Sequence, residues 1–169
     1  MIQKAKDLAT ILHEGQKRKE GTHYITHPAG VVDILKQEGI NNEKILSVAW
    51  LHDTLEDTII SYKKLTNEFG KNVSDKVYLL SRNVDRDKYK TRIENSSYTV
   101  QIVKLADTLH NVHDPYSLNY LSEKGIQRKI YDCREFYIPL AKKICPSIGN
   151  KLEESIDNYL KIFGGKKNE

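Results

Sequence analysis

The amino-acid sequence predicts an all-α fold, a helical bundle folded as one compact domain. Apolar residues recur at three- and four-residue spacing along most of the 169 residues, breakers separate the periodic stretches, and the connectors between them are short. A chain of this length can bury one sizeable core. We expect the domain to span residues 1–163 and the charged tail 164–169 to fray.

The first two helices are predicted from their apolar stripes and their ends. A stripe opens at Ile2, and this helix is expected to run into the basic patch 16–19 and to end near Gly21, because cations suit a helix C-terminus. Pro28 fits the first position of the second helix. His27 should therefore lie at the entrance of that helix.

The later helices are predicted in the same way, from caps, breakers and a 3.6-residue apolar period. Residues 81–97 are polar and basic, which indicates a loop with one short helix near Tyr89. The stretch 99–112 begins like a strand but has no breaker, so one long helix explains all of it. The other expected helices are a third capped by Asn41 or Asn42 and carrying His52-Asp53, a fourth from Ser61 to Phe69, a fifth over about 73–80, and two at 126–144 and 148–163.

Composition excludes several classes of protein. The net charge of +4 permits a small anionic ligand. The sequence has no long basic block of the kind that binds nucleic acid. Cys133 and Cys145 form no C-x-x-C pair, so we expect two free thiols and a reducing compartment. Charges interrupt the N-terminus, and no apolar run approaches the roughly 20 residues that cross a bilayer. These features predict a cytoplasmic protein that does not bind membranes.

The most informative feature is a set of polar residues at the end of the most apolar stretch, residues 45–51. His52-Asp53 follows that stretch, and Glu56-Asp57 comes three residues later. At helical spacing His52 and Glu56 are i,i+4 neighbours, as are Asp53 and Asp57, so the four side chains would share adjoining stripes. Burying such groups costs several kcal/mol unless something pairs with them, and a metal cation is an obvious partner.

Each of these residues also has a structural interpretation. A lone His-Asp pair is usually a satisfied structural group. Here three acids would fall in the last turns of their helix, where the helix dipole disfavours them, and this placement indicates a cation or a function. Asp107 is a further acid among apolar neighbours; its structural interpretation is a buried salt bridge to Lys104.

Three segments together closely resemble the signatures of HD-domain guanosine tetraphosphate hydrolases. They are R-K-x-G-x-x-Y-x-x-H-P at 18–28, H-D-x-x-E-D-T at 52–58 and K-L-A-D-x-x-H-N at 104–111. The likeness runs from about Ala5 to Asp114 and is greatest to small alarmone hydrolases related to the hydrolase half of RelA/SpoT enzymes. It implies an HD-domain helical bundle, and we expect no synthetase domain within 169 residues.

By motif position, the resemblance implies a metal-dependent pyrophosphohydrolase. Such an enzyme removes the 3′-pyrophosphate from guanosine tetra- or pentaphosphate and leaves GDP or GTP. Glu56 and Asp57 would position the attacking water and manage its proton, as general acids and bases do. One divalent metal, usually Mn²⁺ in this family, would be bound by His27, His52, Asp53 and Asp107, a mixed nitrogen and oxygen set that suits manganese, iron or zinc.

The expected partner is the nucleotide itself, while the oligomeric state stays open. Arg18 matches a position that lies against the guanine, or else it is a solvated helix end; Tyr24 matches one near the nucleotide, or else it packs. The substrate-binding set is Arg18, Lys19, Tyr24, Lys104, Asn111 and Arg92, with Asn111 toward the ribose and Lys19, Lys88, Lys90 and Arg92 as phosphate partners. His13, His110 and His113 have no assignment beyond a surface or packing role.

Departures from the family pattern leave the substrate open. His23 replaces a proline, Thr108 replaces a frequent basic residue, and Val112-His113 stands where a hydrophobic-Arg pair is usual. These positions bear on the phosphate side of the site rather than on the metal. Two alternatives therefore remain: an HD phosphohydrolase acting on another substrate, such as a nucleotide or NADPH phosphatase, and a non-catalytic nucleotide-binding module.

Overall fold

The structure, a computed structural model, describes residues 1–114 and 116–164. Within those ranges every regular element is a helix, so the predicted all-α class is confirmed. The tail expected to fray lies outside the described residues apart from Gly164. The α-helices are α1 (Ile2–Leu12), α2 (Thr26–Gln37), α3 (Glu43–Leu51), α4 (Thr54–Asp57), α5 (Tyr62–Phe69), α6 (Lys71–Leu80), α7 (Arg86–Glu94), α8 (Tyr98–His110), α9 (Glu123–Asp132), α10 (Ile138–Ile144) and α11 (Pro146–Phe163).

The chain divides into two compact units, residues 1–106 and the residues from Asp107 onward. In the first unit α3 is central, and it packs against α1, α2 and α6. Every residue from Ile45 to Leu51 is buried, as the apolar run predicted. The positions around the C-terminal end of α3 are therefore fixed by packing on several sides.

The ends of α3 and α5 are set by local hydrogen bonds. The Asn42 side chain accepts from the amides of Lys44 and Ile45, and the Ser61 hydroxyl accepts from the Lys64 amide. Both caps were expected, because short polar side chains satisfy the free amides of a first helical turn.

The acids after α3 do not continue that helix, and the expectation that they lie in its last turns is wrong. The Thr54 hydroxyl donates to the Leu51 carbonyl at 2.7 Å. A new short helix, α4, then begins after Asp53, whose carbonyl accepts from the Asp57 amide at 2.8 Å. A side chain has competed with the backbone for a helical carbonyl. Glu56 and Asp57 therefore belong to α4, and the dipole argument does not apply to them.

The basic patch 16–19 is not helical either, so the predicted extension of α1 to Gly21 is wrong. Helix α1 ends at Leu12, and Gly15 takes a φ of 78°, which a glycine adopts without strain. Residues 16–24 instead form a turn, which we call the basic turn. It is closed by bonds from the Tyr24 amide to the Gln16 carbonyl at 3.0 Å and from the Arg18 amide to the Thr22 carbonyl at 2.9 Å.

The second unit contains α9, α10 and α11. The single helix expected over 126–144 is interrupted: a π-helical turn over Cys133–Tyr137 separates α9 from α10. Pro139, which has no amide hydrogen for an α-helical bond, follows directly in the first turn of α10. Among the described residues, no helix has both the length and the apolar character that crossing a membrane requires.

Candidate metal centre

Three predicted ligands meet in the first unit. His27 lies in α2, His52 directly follows α3, and Asp53 begins the link to α4. The two Nε2 atoms are 3.3 Å apart, and the Asp53 Oδ2 lies 3.1 Å from the Nε2 of His52 and 3.6 Å from that of His27. Both imidazoles are buried, at 2% and 3% exposure. The three side chains form a group able to hold a metal ion.

The spacing of these atoms fits one divalent cation. Sides of 3.1, 3.3 and 3.6 Å place the three atoms on a circle of radius about 1.9 Å. Metal–nitrogen and metal–oxygen bonds are roughly 2.0–2.2 Å long, so one ion can lie at bonding distance from all three. Two facing imidazole nitrogens and a carboxylate oxygen also form a donor set that a cation satisfies better than the three groups satisfy each other.

The tautomer of His52 suits metal binding. Its Nδ1 lies 2.8 Å from the Ala49 carbonyl, which can only accept. The proton therefore sits on Nδ1, and the lone pair of Nε2 points toward His27 and Asp53. A ligand histidine commonly donates its other ring nitrogen to a backbone carbonyl in this way, which fixes the ring's orientation.

Tyr24 joins this group to the acids of α4. Its hydroxyl lies 2.6 Å from the Asp53 Oδ2 and 3.0 Å from the Asp57 Oδ2. Burial, together with the charges of Asp53 and Asp57, raises the pKa of the Tyr24 phenol far above its usual range. The phenol therefore remains a donor at any physiological pH, and it orients a predicted metal ligand and a predicted proton-transfer group together.

Glu56 and Asp57 are exposed on α4. The Glu56 carboxylate accepts from the Arg82 amide at 2.6 Å, and the Asp57 carbonyl accepts from the Gln16 amide nitrogen at 2.9 Å. Tyr24 therefore links the Asp57 carboxylate to the Asp53 carboxylate, and both Glu56 and Asp57 are open to solvent. This is the environment in which a carboxylate can exchange a proton with water.

Asp107 and Asn111 belong to the second unit. Asp107 is buried at 4% exposure, and its Oδ1 accepts from the Asn111 side-chain amide at 2.7 Å. A buried carboxylate that is oriented by an amide is a reasonable ligand. The role of Asp107 as a fourth ligand and that of Asn111 toward the ribose both stay predictions.

The basic turn carries two of the predicted substrate contacts. Arg18 donates from Nε to the Glu20 carboxylate at 2.6 Å, and its side chain is only 16% exposed. It lies in a turn, so its alternative interpretation as a helix end is wrong. Lys19 is exposed beside it.

Arg92 of α7 and Lys104 of α8 both lie near the buried ring of Tyr89. The Arg92 guanidinium is 5.0 Å and the Lys104 ammonium 5.4 Å from the centre of Tyr89. Arg92 also donates to the Ser81 carbonyl and to the Asn83 side chain. These bonds brace residues 81–83, and the contact of Arg92 with phosphate stays a prediction.

Lys88 and Lys90 were the other lysines expected to contact phosphate. Lys88 pairs with Asp85 at 3.0 Å on the surface, an interaction of little energetic consequence. Lys90 is half-buried. Their proposed contacts with substrate stay predictions.

No functional role is predicted from the sequence for His13 or Gln16. His13 is 3% exposed and stacks on Tyr24, with ring centres 4.6 Å apart and planes at 24°. Its burial has a sequence signal, because Ala5, Ala9 and His13 recur at four-residue spacing along one face of α1. The contact of His13 with Tyr24 has no such sequence signal, because it depends on the conformation of the basic turn.

Comparison with known families identifies the chain. Residues 5–144 match the family model described as HD domain. The chain belongs to the HD domain family. The match runs across both compact units, and the all-α architecture agrees with it.

Relatives of this HD domain include longer proteins. The guanosine-3′,5′-bis(diphosphate) 3′-pyrophosphohydrolase of Aquifex aeolicus is 35% identical over 170 residues, which are 94% of this chain and 24% of that protein. The GTP pyrophosphokinase of Streptomyces coelicolor is 34% identical over 157 residues, 85% of this chain and 18% of that protein. The chain thus spans less than a quarter of the length of these curated relatives.

A solved structure covers this HD domain almost completely. A metazoan ortholog of SpoT, described as hydrolysing ppGpp, has 25% sequence identity and a TM-score of 0.70. The likeness covers 96% of this chain and 95% of that one. The family and its helical fold are therefore established by sequence and structure alike.

Proposed function

We propose that this HD domain is a metal-dependent hydrolase that removes the 3′-pyrophosphate from guanosine 3′,5′-bis(diphosphate) and its pentaphosphate. The observation that carries the proposal is the convergence of His27, His52 and Asp53 within bonding reach of one cation, beside two solvent-facing carboxylates. The named activities of the Aquifex aeolicus relative and of the metazoan SpoT ortholog support the choice of substrate.

The metal site in this proposal consists of His27, His52, Asp53 and Asp107. A divalent ion bound there supplies Lewis acidity toward a phosphoryl oxygen and lowers the pKa of a bound water. Manganese is the proposed ion, since a mixed imidazole and carboxylate set with positions left for water suits it. Tyr24 holds the Asp53 carboxylate in its orientation through the 2.6 Å bond.

Glu56 and Asp57 position the attacking water and transfer its proton. Their carboxylates are exposed, and each is fixed at a second point, by the Arg82 amide for Glu56 and by the Tyr24 hydroxyl for Asp57. The water oxygen adds to the phosphorus attached to the 3′-oxygen, that oxygen leaves, and the proton from water ends on the departing nucleoside oxygen. GDP or GTP and pyrophosphate are the products.

The nucleotide is proposed to contact residues of the basic turn and, by motif position, Asn111. The Glu20 carboxylate accepts from the Arg18 Nε and so holds the plane of the guanidinium, against which a base is proposed to stack. Lys19 offers an exposed charge for phosphate, and Asn111 is assigned to the ribose.

The cytoplasm is the proposed compartment. Cys133 and Cys145 are not joined in a disulfide, as is usual for proteins of a reducing compartment.

Turnover of guanosine tetraphosphate by the metal-replete protein tests the proposal. With Mn²⁺ we expect equal amounts of GDP and pyrophosphate. Release of orthophosphate alone would instead indicate a phosphatase acting on a different bond, and no turnover with a bound ion would indicate a binding module. Asp53→Ala should abolish turnover, while Asp33→Ala, an exposed aspartate of α2, is the matched control and should leave it unchanged.

A further inference from the structure

His13 is a buried polar residue next to the candidate metal centre, and the proposed mechanism gives it no task. It follows α1 directly, and its ring lies nearly parallel to the ring of Tyr24, with the centres 4.6 Å apart. The opposite end of Tyr24 is the hydroxyl that donates to Asp53 and Asp57. The plane of the His13 ring therefore limits where that hydroxyl can point.

A second contact links His13 to α4. The Gln16 amide nitrogen donates to the Asp57 carbonyl at 2.9 Å, which turns the amide oxygen of Gln16 toward His13. That oxygen lies 2.8 Å from the His13 Nδ1, so Nδ1 must carry the proton and donate. His13 thus acts on Asp57 from two directions, through Tyr24 at the carboxylate and through Gln16 at the backbone.

The position has an energetic cost that simple packing would avoid. Among the residues that the structure describes, the Nε2 of His13 is buried and has no hydrogen-bond partner. A phenylalanine would fill the same space and stack on Tyr24 without an unpaired nitrogen. What only the imidazole adds is the Nδ1 bond to Gln16, combined with the ring.

We propose that His13 is a positioning residue of the metal centre. Its ring holds Tyr24 so that the hydroxyl bridges Asp53 and Asp57, and its Nδ1 holds Gln16 so that α4 keeps its place. The inference rests on the proposed function, because it assigns His13 to the geometry of the same reaction. It predicts effects on metal affinity and on kcat, with little effect on KM.

Two variants separate the two contacts. His13→Phe keeps a stacking ring and loses the Nδ1 bond, while His13→Asn keeps an amide N–H near the position of Nδ1 and loses the ring. We expect each to lower kcat for guanosine tetraphosphate about tenfold, with KM changed less than twofold, since supporting residues of metal sites typically act at this scale. Each variant is also compared with the wild type for Mn²⁺ affinity, by calorimetry on metal-stripped protein, and for melting temperature.

Double variants show whether His13 acts through its neighbours. In a Tyr24→Phe background, His13→Asn should lower Mn²⁺ affinity less than twofold further, because the hydroxyl that the ring orients is gone. In a Gln16→Leu background, His13→Phe should likewise add little to the loss of kcat. Effects that multiply independently in both backgrounds would overturn the proposal.

The outcomes distinguish this inference from the proposed function. If the wild-type protein does not hydrolyse guanosine tetraphosphate, the proposed function fails, and the Mn²⁺ affinities still test whether His13 positions the centre. If the wild type is active and both His13 variants keep its kcat and Mn²⁺ affinity, the inference fails alone. A lower melting temperature with an unchanged kcat would likewise assign His13 a purely structural role.

Discussion

Removing the Tyr24 hydroxyl tests the link between the ligand group and α4. Tyr24→Phe keeps the ring and its stacking on His13 but deletes the donor that lies 2.6 Å from Asp53 and 3.0 Å from Asp57. The shorter bond to Asp53 is the stronger one. Without the hydroxyl, the Asp53 carboxylate loses this hydrogen bond, and the phenol proton no longer lies between the Asp53 and Asp57 charges.

The magnitude follows from the charge on the acceptors. A hydrogen bond to a charged group contributes about 1.5–3 kcal/mol, and about 1.4 kcal/mol corresponds to a factor of ten. Tyr24 is half-buried rather than fully buried, so the lower part of that range applies. We therefore expect Tyr24→Phe to lower Mn²⁺ affinity or kcat by about 10- to 30-fold, or to lower both so that the combined loss reaches this value.

The assay combines Mn²⁺ titration of metal-stripped protein with steady-state turnover of guanosine tetraphosphate. Tyr120→Phe is the matched control, because Tyr120 is an exposed tyrosine outside the first unit. Since the raised pKa of Tyr24 keeps it protonated, the basic limb of the pH–rate profile should keep the same midpoint in Tyr24→Phe. Metal affinity and kcat both within twofold of the wild type would refute the reasoning.

Three further predictions concern the acid next to the ligands, the second unit and the thiols. Glu56→Gln should still bind one Mn²⁺ per chain while kcat falls about 100-fold or more; loss of the metal would show that Glu56 is a ligand instead. Gly149→Ala should lower stability by about 1–3 kcal/mol in denaturant unfolding, because its new Cβ would lie 2.9 Å from the Lys142 backbone nitrogen; unchanged stability would contradict that contact. Burial raises the pKa of the Cys133 thiol to about 11, so a thiol reagent at pH 8 should modify Cys145 first and Cys133 only on unfolding, whereas equal rates would contradict the burial.

The features that the sequence predicted well depend on local chemistry. The buried helix α3 follows from a continuous apolar run, and its start follows from the Asn42 cap. The proximity of His52 and Asp53 needs only their adjacency in the chain. These predictions required no knowledge of what the rest of the chain does.

The features that were predicted wrongly depend on competition between neighbours. Helix α3 ends where the Thr54 hydroxyl donates to the Leu51 carbonyl. The apolar periodicity of the sequence does not predict that hydrogen bond. The basic patch 16–19 was predicted to end a helix because its charges suit a helix C-terminus, but the chain turns at Gly15, before the patch. The stacking of His13 on Tyr24 then follows from the turn and was not visible in the sequence.

Binding of Mn²⁺ to metal-stripped wild-type protein and to His52→Ala, measured by calorimetry, tests the central claim most directly. The imidazoles of His27 and His52 and the Asp53 carboxylate should bind one ion per chain in the wild type. Removal of one buried ligand should weaken that binding more than about 100-fold, beyond the 10- to 100-fold typical of supporting residues. A wild-type chain that binds no ion, or a His52→Ala chain that binds it equally well, would contradict the account.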